Sequence, residues 1–144
     1  MTMPNIDIES LIPHREPIKI INEVLEIHED SVITTAIVNS SWPLFEGDGV
    51  NSLVLIEAIA QTAAIIEGYK RNKQGKGNVK GWLVGIKSAE FNVANLPVNT
   101  RLTIFVNSKY SFDNYAVVEG IIKTGEDILA TIVLQAWRLN EDSQ

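Results

Sequence analysis

Apolar residues are densest in one stretch of this chain, Asn51–Lys70, which reads NSLVLIEAIAQTAAIIEGYK. Leu53, Ile56, Ala60, Ala64 and Ile65 fall on one face at helical spacing, and Val54, Leu55, Ile59, Ala63 and Ile66 cover much of the rest. A helix that is apolar nearly all round belongs in the middle of a protein. Elsewhere the pattern changes to that of strands. Ile18–Ile27 predicts one, with Ile18, Ile20 and Ile21 near its start, and the β-branched run Ser31–Val38 predicts a second across a His28–Asp30 turn. NSSWPLFEGDG predicts a loop into the helix, with Asn51 or Ser52 as its cap. Asn72–Lys80 is polar and glycine-bearing and predicts a surface loop. Four strands follow, Trp82–Phe91, Arg101–Tyr110, Tyr115–Lys123 and Ile128–Trp137, with turn signals at Asp113–Asn114 and Thr124–Asp127. Trp82 and Trp137 fall on strands and read as core. Near the start, Ile6–Ile12 predicts a short helical turn stopped by Pro13.

The order is therefore helical turn, two strands, one buried helix, four strands. With 144 residues and no internal repeat or linker, a single domain over 1–144 is expected. A mostly antiparallel sheet of about six strands that must wrap one apolar helix is an α+β arrangement, the hot-dog fold. Wrapping leaves part of the helix uncovered, and closing that gap usually takes a second copy. A homodimer or a multiple of dimers is expected.

Composition narrows the chemistry. Net charge is −6 and no basic patch dominates, which argues against nucleic acid as partner. Lys70, Arg71, Lys73, Lys76 and Lys80 form a loose basic cluster, either a solvated loop or a contact for an acidic partner. The absence of cysteine removes disulfides, thiol chemistry and zinc–thiolate sites, and two histidines, His14 and His28, argue against a histidine-rich metal centre. No metal and no cofactor are expected. The first residues, MTMPNIDIES, lack a charged region followed by an apolar one, so no signal peptide is expected. Glu57, Gln61 and Glu67 interrupt the apolar helix, which argues against a membrane span and for a cytoplasmic protein.

Glu57 and Gln61 stand four residues apart in that helix and so share a face. A carboxylate in such surroundings must find a partner, stay protonated or do chemistry. The bland reading is a satisfied carboxylate bound to Gln61 or to a loop N–H; the functional one is an acid–base group.

Three motifs resemble a known family. Leu11–Pro17 (LIPHREP) resembles the stretch that opens the FabA/FabZ-type 3-hydroxyacyl-acyl carrier protein dehydratases, Leu55–Gln61 (LIEAIAQ) resembles their central helix, and Leu83–Phe91 (LVGIKSAEF) resembles the strand after it. Pro43-Leu44-Phe45 matches the loop before the helix in the sub-branch associated with aryl polyene pigments. The resemblance implies a hot-dog dimer that binds a 3-hydroxyacyl thioester, on acyl carrier protein or coenzyme A, in a tunnel beside the helix. A histidine from one subunit and the helix carboxylate of the other would handle the α-proton and the β-hydroxyl, giving a trans-2-enoyl thioester for fatty-acid or polyene-type chain synthesis. Burial would keep the carboxyl protonated, and N–H groups at the helix start would steady the thioester oxygen.

The chain departs from that pattern at the base. The sub-branch places its histidine fifteen residues before the helix glutamate, and Trp42 stands there. An indole N–H donates but takes no proton. Trp42 either packs in the core or plugs the pocket. Asp48, between Gly47 and Gly49, is either a substitute acid or base or part of a turn. Gln61 reads as support for the loop or a partner helix, and the resemblance makes His14 a framework residue or a replacement base. The implied site is thus Glu57 as catalytic group, with Trp42, Asp48, Gly49, Gln61 and His14 lining or supporting it. Two other functions stay open: a silent thioester-binding subunit that pairs with a histidine-bearing paralogue, and an acyl thioesterase in which Glu57 activates water.

Overall fold

The computed structural model describes residues 19–75, 81–112 and 114–139. His14 and the helical turn predicted at Ile6–Ile12 lie outside the described residues. In chain order the elements are β1 (Glu23–Ile27), β2 (Ser31–Ile37), β3 (Phe45–Glu46), β4 (Gly49–Asn51), α1 (Val54–Lys73), β5 (Gly81–Phe91), β6 (Asn95–Pro97), β7 (Arg101–Phe112), β8 (Tyr115–Thr124) and β9 (Asp127–Leu139). Six strands form one antiparallel sheet in the order β1-β2-β7-β8-β9-β5, and β3-β4-β6 form a small second sheet. The large sheet curls round α1, which packs against β2, β7, β8 and β9. This is the hot-dog arrangement that the order of elements predicts.

Alternation along the strands decides what lies inside. On β7, Leu102, Ile104 and Val106 are buried; on β8 and β9 the alternating buried residues include Ala116, Val118, Ile122, Ala130, Ile132, Leu134 and Ala136, with Leu129 also buried beside the register shift at Ile122/Lys123. Period two then sends Trp137 outward. It is 39% exposed, where the sequence placed it in the core, and it lies against Tyr115 with ring centroids 5.3 Å apart. The helix meets the sheet closely at Gly120, where an added Cβ would overlap Ile59 Cδ1 and come within 2.9 Å of its Cγ1 and Cγ2. The one buried hydroxyl pair across that layer, among the described residues, is Thr34 Oγ1 and Thr62 Oγ1 at 2.9 Å, so both are satisfied.

Several boundaries differ from the prediction. β1 is shorter than Ile18–Ile27 because Ile20 and Ile21 are consecutive and both buried, which an alternating strand does not allow. The pre-helix loop contains the hairpin β3–β4, and its second strand pairs with β6; pieces of two or three residues carry too little pattern to be read. α1 starts at Val54, its cap one or two residues past the predicted Asn51 or Ser52, and it runs to Lys73, into the predicted surface loop. Leu53 occupies the cap position without a side-chain acceptor and is exposed, and its own N–H is taken by Asn51 Oδ1 at 2.9 Å. At the other end, Gly75 with φ +72° donates its N–H to Asn72 O, and Lys70, Arg71 and Lys73 sit in the last turn, where cations favour the carbonyl end of the helix. Among the described residues no helix is long and apolar enough to cross a membrane.

β5 is an edge strand of the large sheet, with a register shift between Ile86 and Ser88. Val84 and Ile86 pair with Ala136 and Leu134, both buried, and cross-strand partners share a face. They therefore point to the helix side of the sheet, yet they are 47% and 52% exposed. The core face extends beyond what α1 covers.

Candidate active site

Glu57 lies in the first turn of α1 and is half-buried. Gln61, one turn later on the same face, is 0% exposed. Its amide bonds at both ends: Nε2 donates to Glu57 Oε2 at 2.8 Å, and Oε1 accepts the backbone N–H of Ile20 at 2.9 Å. The structure thus joins two residues the sequence singled out to a third, Ile20, that no side-chain pattern reveals. Glu57 stands where the start of the helix and an amide donor both suit a carboxylate.

The residues upstream serve mainly to hold the entrance. Trp42 is 4% exposed and belongs to the main apolar cluster. Its backbone N–H closes a turn on Asn39 O at 3.1 Å. Asp48 is exposed in the two-residue connection between β3 and β4, where Gly47 takes φ +70°, as tight hairpins require. Gly49 is buried against β6. An added Cβ there would overlap Asn95 Oδ1 and approach Leu96 O to 2.7 Å, so the pairing of β4 with β6 needs the missing side chain. The hydrogen bonds from Asn51 N–H to Leu44 O and from Ser52 N–H to Ala94 O tie this loop to the helix start. Around it Leu44, Phe45 and Leu53 are exposed and apolar. The N–H groups of Leu53, Leu55 and Ile56 already have acceptors in Asn51 Oδ1, Ser52 O and Leu53 O, which leaves the helix start poorer in donors than expected.

No base comes from His28 of the same chain. It lies in the β1–β2 turn, exposed, with Nε2 3.2 Å from Glu26 Oε1, and this contact holds the Glu26 carboxyl below its usual range. It borders a cleft of about 500 Å³ with Tyr69, Lys70 and Lys73, near the last turn of α1. Lys70 is thirteen residues past Glu57, which is about 20 Å along a helix axis. That basic end is itself partly neutralised, since Lys70 Nζ is 3.3 Å from Asp30 Oδ1. Among the described residues no group of three or more His, Asp and Glu side chains is arranged to hold a metal ion.

Comparison with known proteins places this geometry. The ApeP-like family, described as ApeP dehydratase, matches residues 6–144. The 3-hydroxyacyl-[acyl-carrier-protein] dehydratase FabZ of Streptococcus uberis is 32% identical over 75 residues, 49% of this chain and 54% of that protein. The chain spans about half the length of the curated relatives it matches. Among solved structures, the dehydratase heterocomplex ApeI:P from Xenorhabdus doucetiae superposes with a TM-score of 0.87 at 18% identity, covering 98% of this chain and 94% of that one. A hypothetical thioesterase from Streptococcus pneumoniae, solved with coenzyme A, superposes with a TM-score of 0.58 at 13% identity, covering 82% and 85%. At these identities the superpositions speak for the fold.

Proposed function

We propose that this chain, which belongs to the ApeP-like dehydratase family, acts in removing water from 3-hydroxyacyl thioesters to give trans-2-enoyl thioesters. The observation that carries the reading is Glu57, half-buried at the start of the central helix with one oxygen held by Gln61. Elimination breaks a weakly acidic C–H and a C–O bond to a poor leaving group, so it needs a base and an acid. Glu57 supplies one of the two proton-exchanging groups. The substrate is an acyl chain on acyl carrier protein or coenzyme A, taken from a cytoplasmic pool for fatty-acid or polyene-type synthesis.

The second group is the open place, and it favours a more specific form of the reading. Trp42 is buried in the core, and His28 borders the cleft at the last turn of α1, where Lys70 stands about 20 Å along the helix axis from Glu57. This favours a base from another chain, a histidine-bearing hot-dog paralogue paired with this one, over His14, which lies outside the described residues. The Xenorhabdus doucetiae protein of the same fold was solved as a heterocomplex, which supports such a pairing.

The test follows interconversion of 3-hydroxyacyl and 2-enoyl thioesters by the chain with its partner. Glu57→Gln is expected to lower kcat/KM by about a hundredfold or more while the protein stays folded. Unchanged turnover in Glu57→Gln would place the chemistry elsewhere. Release of free thiol with no enoyl product would instead favour a thioesterase, in which Glu57 activates water toward the carbonyl.

A further inference from the structure

The start of α1 holds a buried hydroxyl that the fold leaves unbonded. Ser52 lies two residues before the helix and is 5% exposed. The other buried polar side chains among the described residues are paired: Thr34 Oγ1 with Thr62 Oγ1, and Gln61 with Ile20 and Glu57. Ser52 is held by its backbone alone. Its N–H donates to Ala94 O at 3.0 Å and its carbonyl accepts the Leu55 N–H at 2.9 Å, whereas Oγ has no hydrogen-bond partner among the described residues. Capping does not use it either, although serine near a helix start commonly caps, because the Leu53 N–H goes to Asn51 Oδ1. Val54 is 2% exposed, and its N–H likewise has no acceptor among the described residues. Two neighbouring donors thus stand buried and unused at the same helix start.

Buried hydroxyls are nearly always bonded, so one left open in a folded chain calls for an explanation, such as a role in the chemistry. We propose that Ser52 is a further catalytic residue, whose hydroxyl donates to the thioester carbonyl oxygen of the substrate beside the Val54 N–H. Side chains of an α-helix tilt toward its N-terminus, so Glu57, in the first turn, leans toward the end where these donors lie. The α- and β-carbons of an acyl thioester follow directly on its carbonyl. A group that exchanges a proton at either and a donor to the carbonyl oxygen therefore belong a few ångströms apart. Loss of the α-proton moves its electron pair onto that oxygen as an enolate. The pair then returns to form the carbon–carbon double bond as the β-carbon–oxygen bond breaks and the hydroxyl leaves, protonated, as water. Between these events the charge sits on the oxygen, where a buried donor already in place helps most. The role in elimination rests on the dehydratase reading; the contact of hydroxyl with thioester does not.

A donor kept for substrate differs from a hydroxyl satisfied inside the protein in what its removal does. Ser52→Ala removes the hydroxyl and leaves both backbone bonds, and Ser52→Cys keeps the shape with a weaker donor. The urea midpoint of the full chain is expected to be equal or higher in Ser52→Ala, because no bond is lost and a buried polar group is removed. Turnover of 3-hydroxyacyl thioesters by the chain with its partner is expected to fall about ten- to a hundredfold in Ser52→Ala, chiefly in kcat, with Ser52→Cys between it and wild type. The direct reading is the carbonyl stretch of a bound saturated acyl-pantetheine thioester, labelled with carbon-13 at the carbonyl and followed by difference infrared spectroscopy. In Ser52→Ala it is expected to move to higher wavenumber, the direction in which a carbonyl shifts on losing a hydrogen bond.

A lower urea midpoint in Ser52→Ala would show the hydroxyl to be bonded within the chain or to a trapped water. A carbonyl stretch that Ser52→Ala leaves in place would show that the hydroxyl does not face the thioester. Either outcome overturns the proposal. The infrared reading uses an unreactive thioester and needs no turnover. A protein that dehydrates no 3-hydroxyacyl thioester yet shows the shift would sink the dehydratase reading and uphold the contact, whereas an active protein without the shift would do the reverse.

Discussion

Position 42 carries an indole where the resemblance implies a histidine. Trp42 is 4% exposed and shares its cluster with the apolar residues of the helix and sheet, so its ring fills core volume. Trp42→Ala should cost about 3–5 kcal/mol, the usual price of emptying a large aromatic site, read as a lower urea midpoint with an unchanged slope. Trp42→His keeps a ring but loses much of that volume. It is expected to be less stable than wild type and to remain inert as a single chain, because the side chain at 42 fills core. Dehydration gained by Trp42→His alone would show that position 42 borders the pocket after all. Glu57 presents the opposite case. Half-buried and hydrogen-bonded to Gln61, it is expected in Glu57→Gln to lose far more in turnover than in stability.

The contact between helix and sheet is where the fold is least forgiving. Gly120 on β8 lies beneath Ile59 so closely that a methyl group there must displace the whole isoleucine side chain, not only its tip. Gly120→Ala is expected to destabilise by about 1–3 kcal/mol, and Ile59→Ala should relieve part of that cost. The double variant then loses less than the two singles together, measurable by urea denaturation of all four proteins; strict additivity would mean that the contact does not bind the layers. The α1 helix, the buried faces of β7, β8 and β9 and the six-strand sheet were legible from the chain because each is long enough to show its period. Trp137 misled because its size suggested core while its register, one residue past Ala136, sends it outward. β3, β4 and β6 were invisible at two or three residues each. In the site, Glu57 and Gln61 were readable from helical spacing, whereas Ile20 enters through its backbone N–H, which every residue but proline carries.

For the molecule as a whole, the uncovered part of the core and the indole at position 42 point to the same kind of partner. β5 closes one edge of the sheet with Val84 and Ile86 about half exposed, although their cross-strand partners are buried. An edge strand with apolar residues on its inner face invites another chain. A second hot-dog domain placed there would cover those residues and extend the sheet, and a histidine on it would complete the pair that Glu57 begins. The isolated chain is therefore expected to interconvert neither 3-hydroxyacyl nor 2-enoyl thioesters, and mixing with a histidine-bearing paralogue should restore turnover that depends on Glu57. Ile86→Lys puts a charge on the proposed contact while leaving α1, Gln61 and Glu57 untouched. It should lower the mass seen in solution to that of one chain and prevent restoration on mixing, with the isolated chain still folded by circular dichroism. Full activity of the chain purified alone would show that the base lies within it or in a second copy. Restoration by an Ile86→Lys chain would move the partner away from β5.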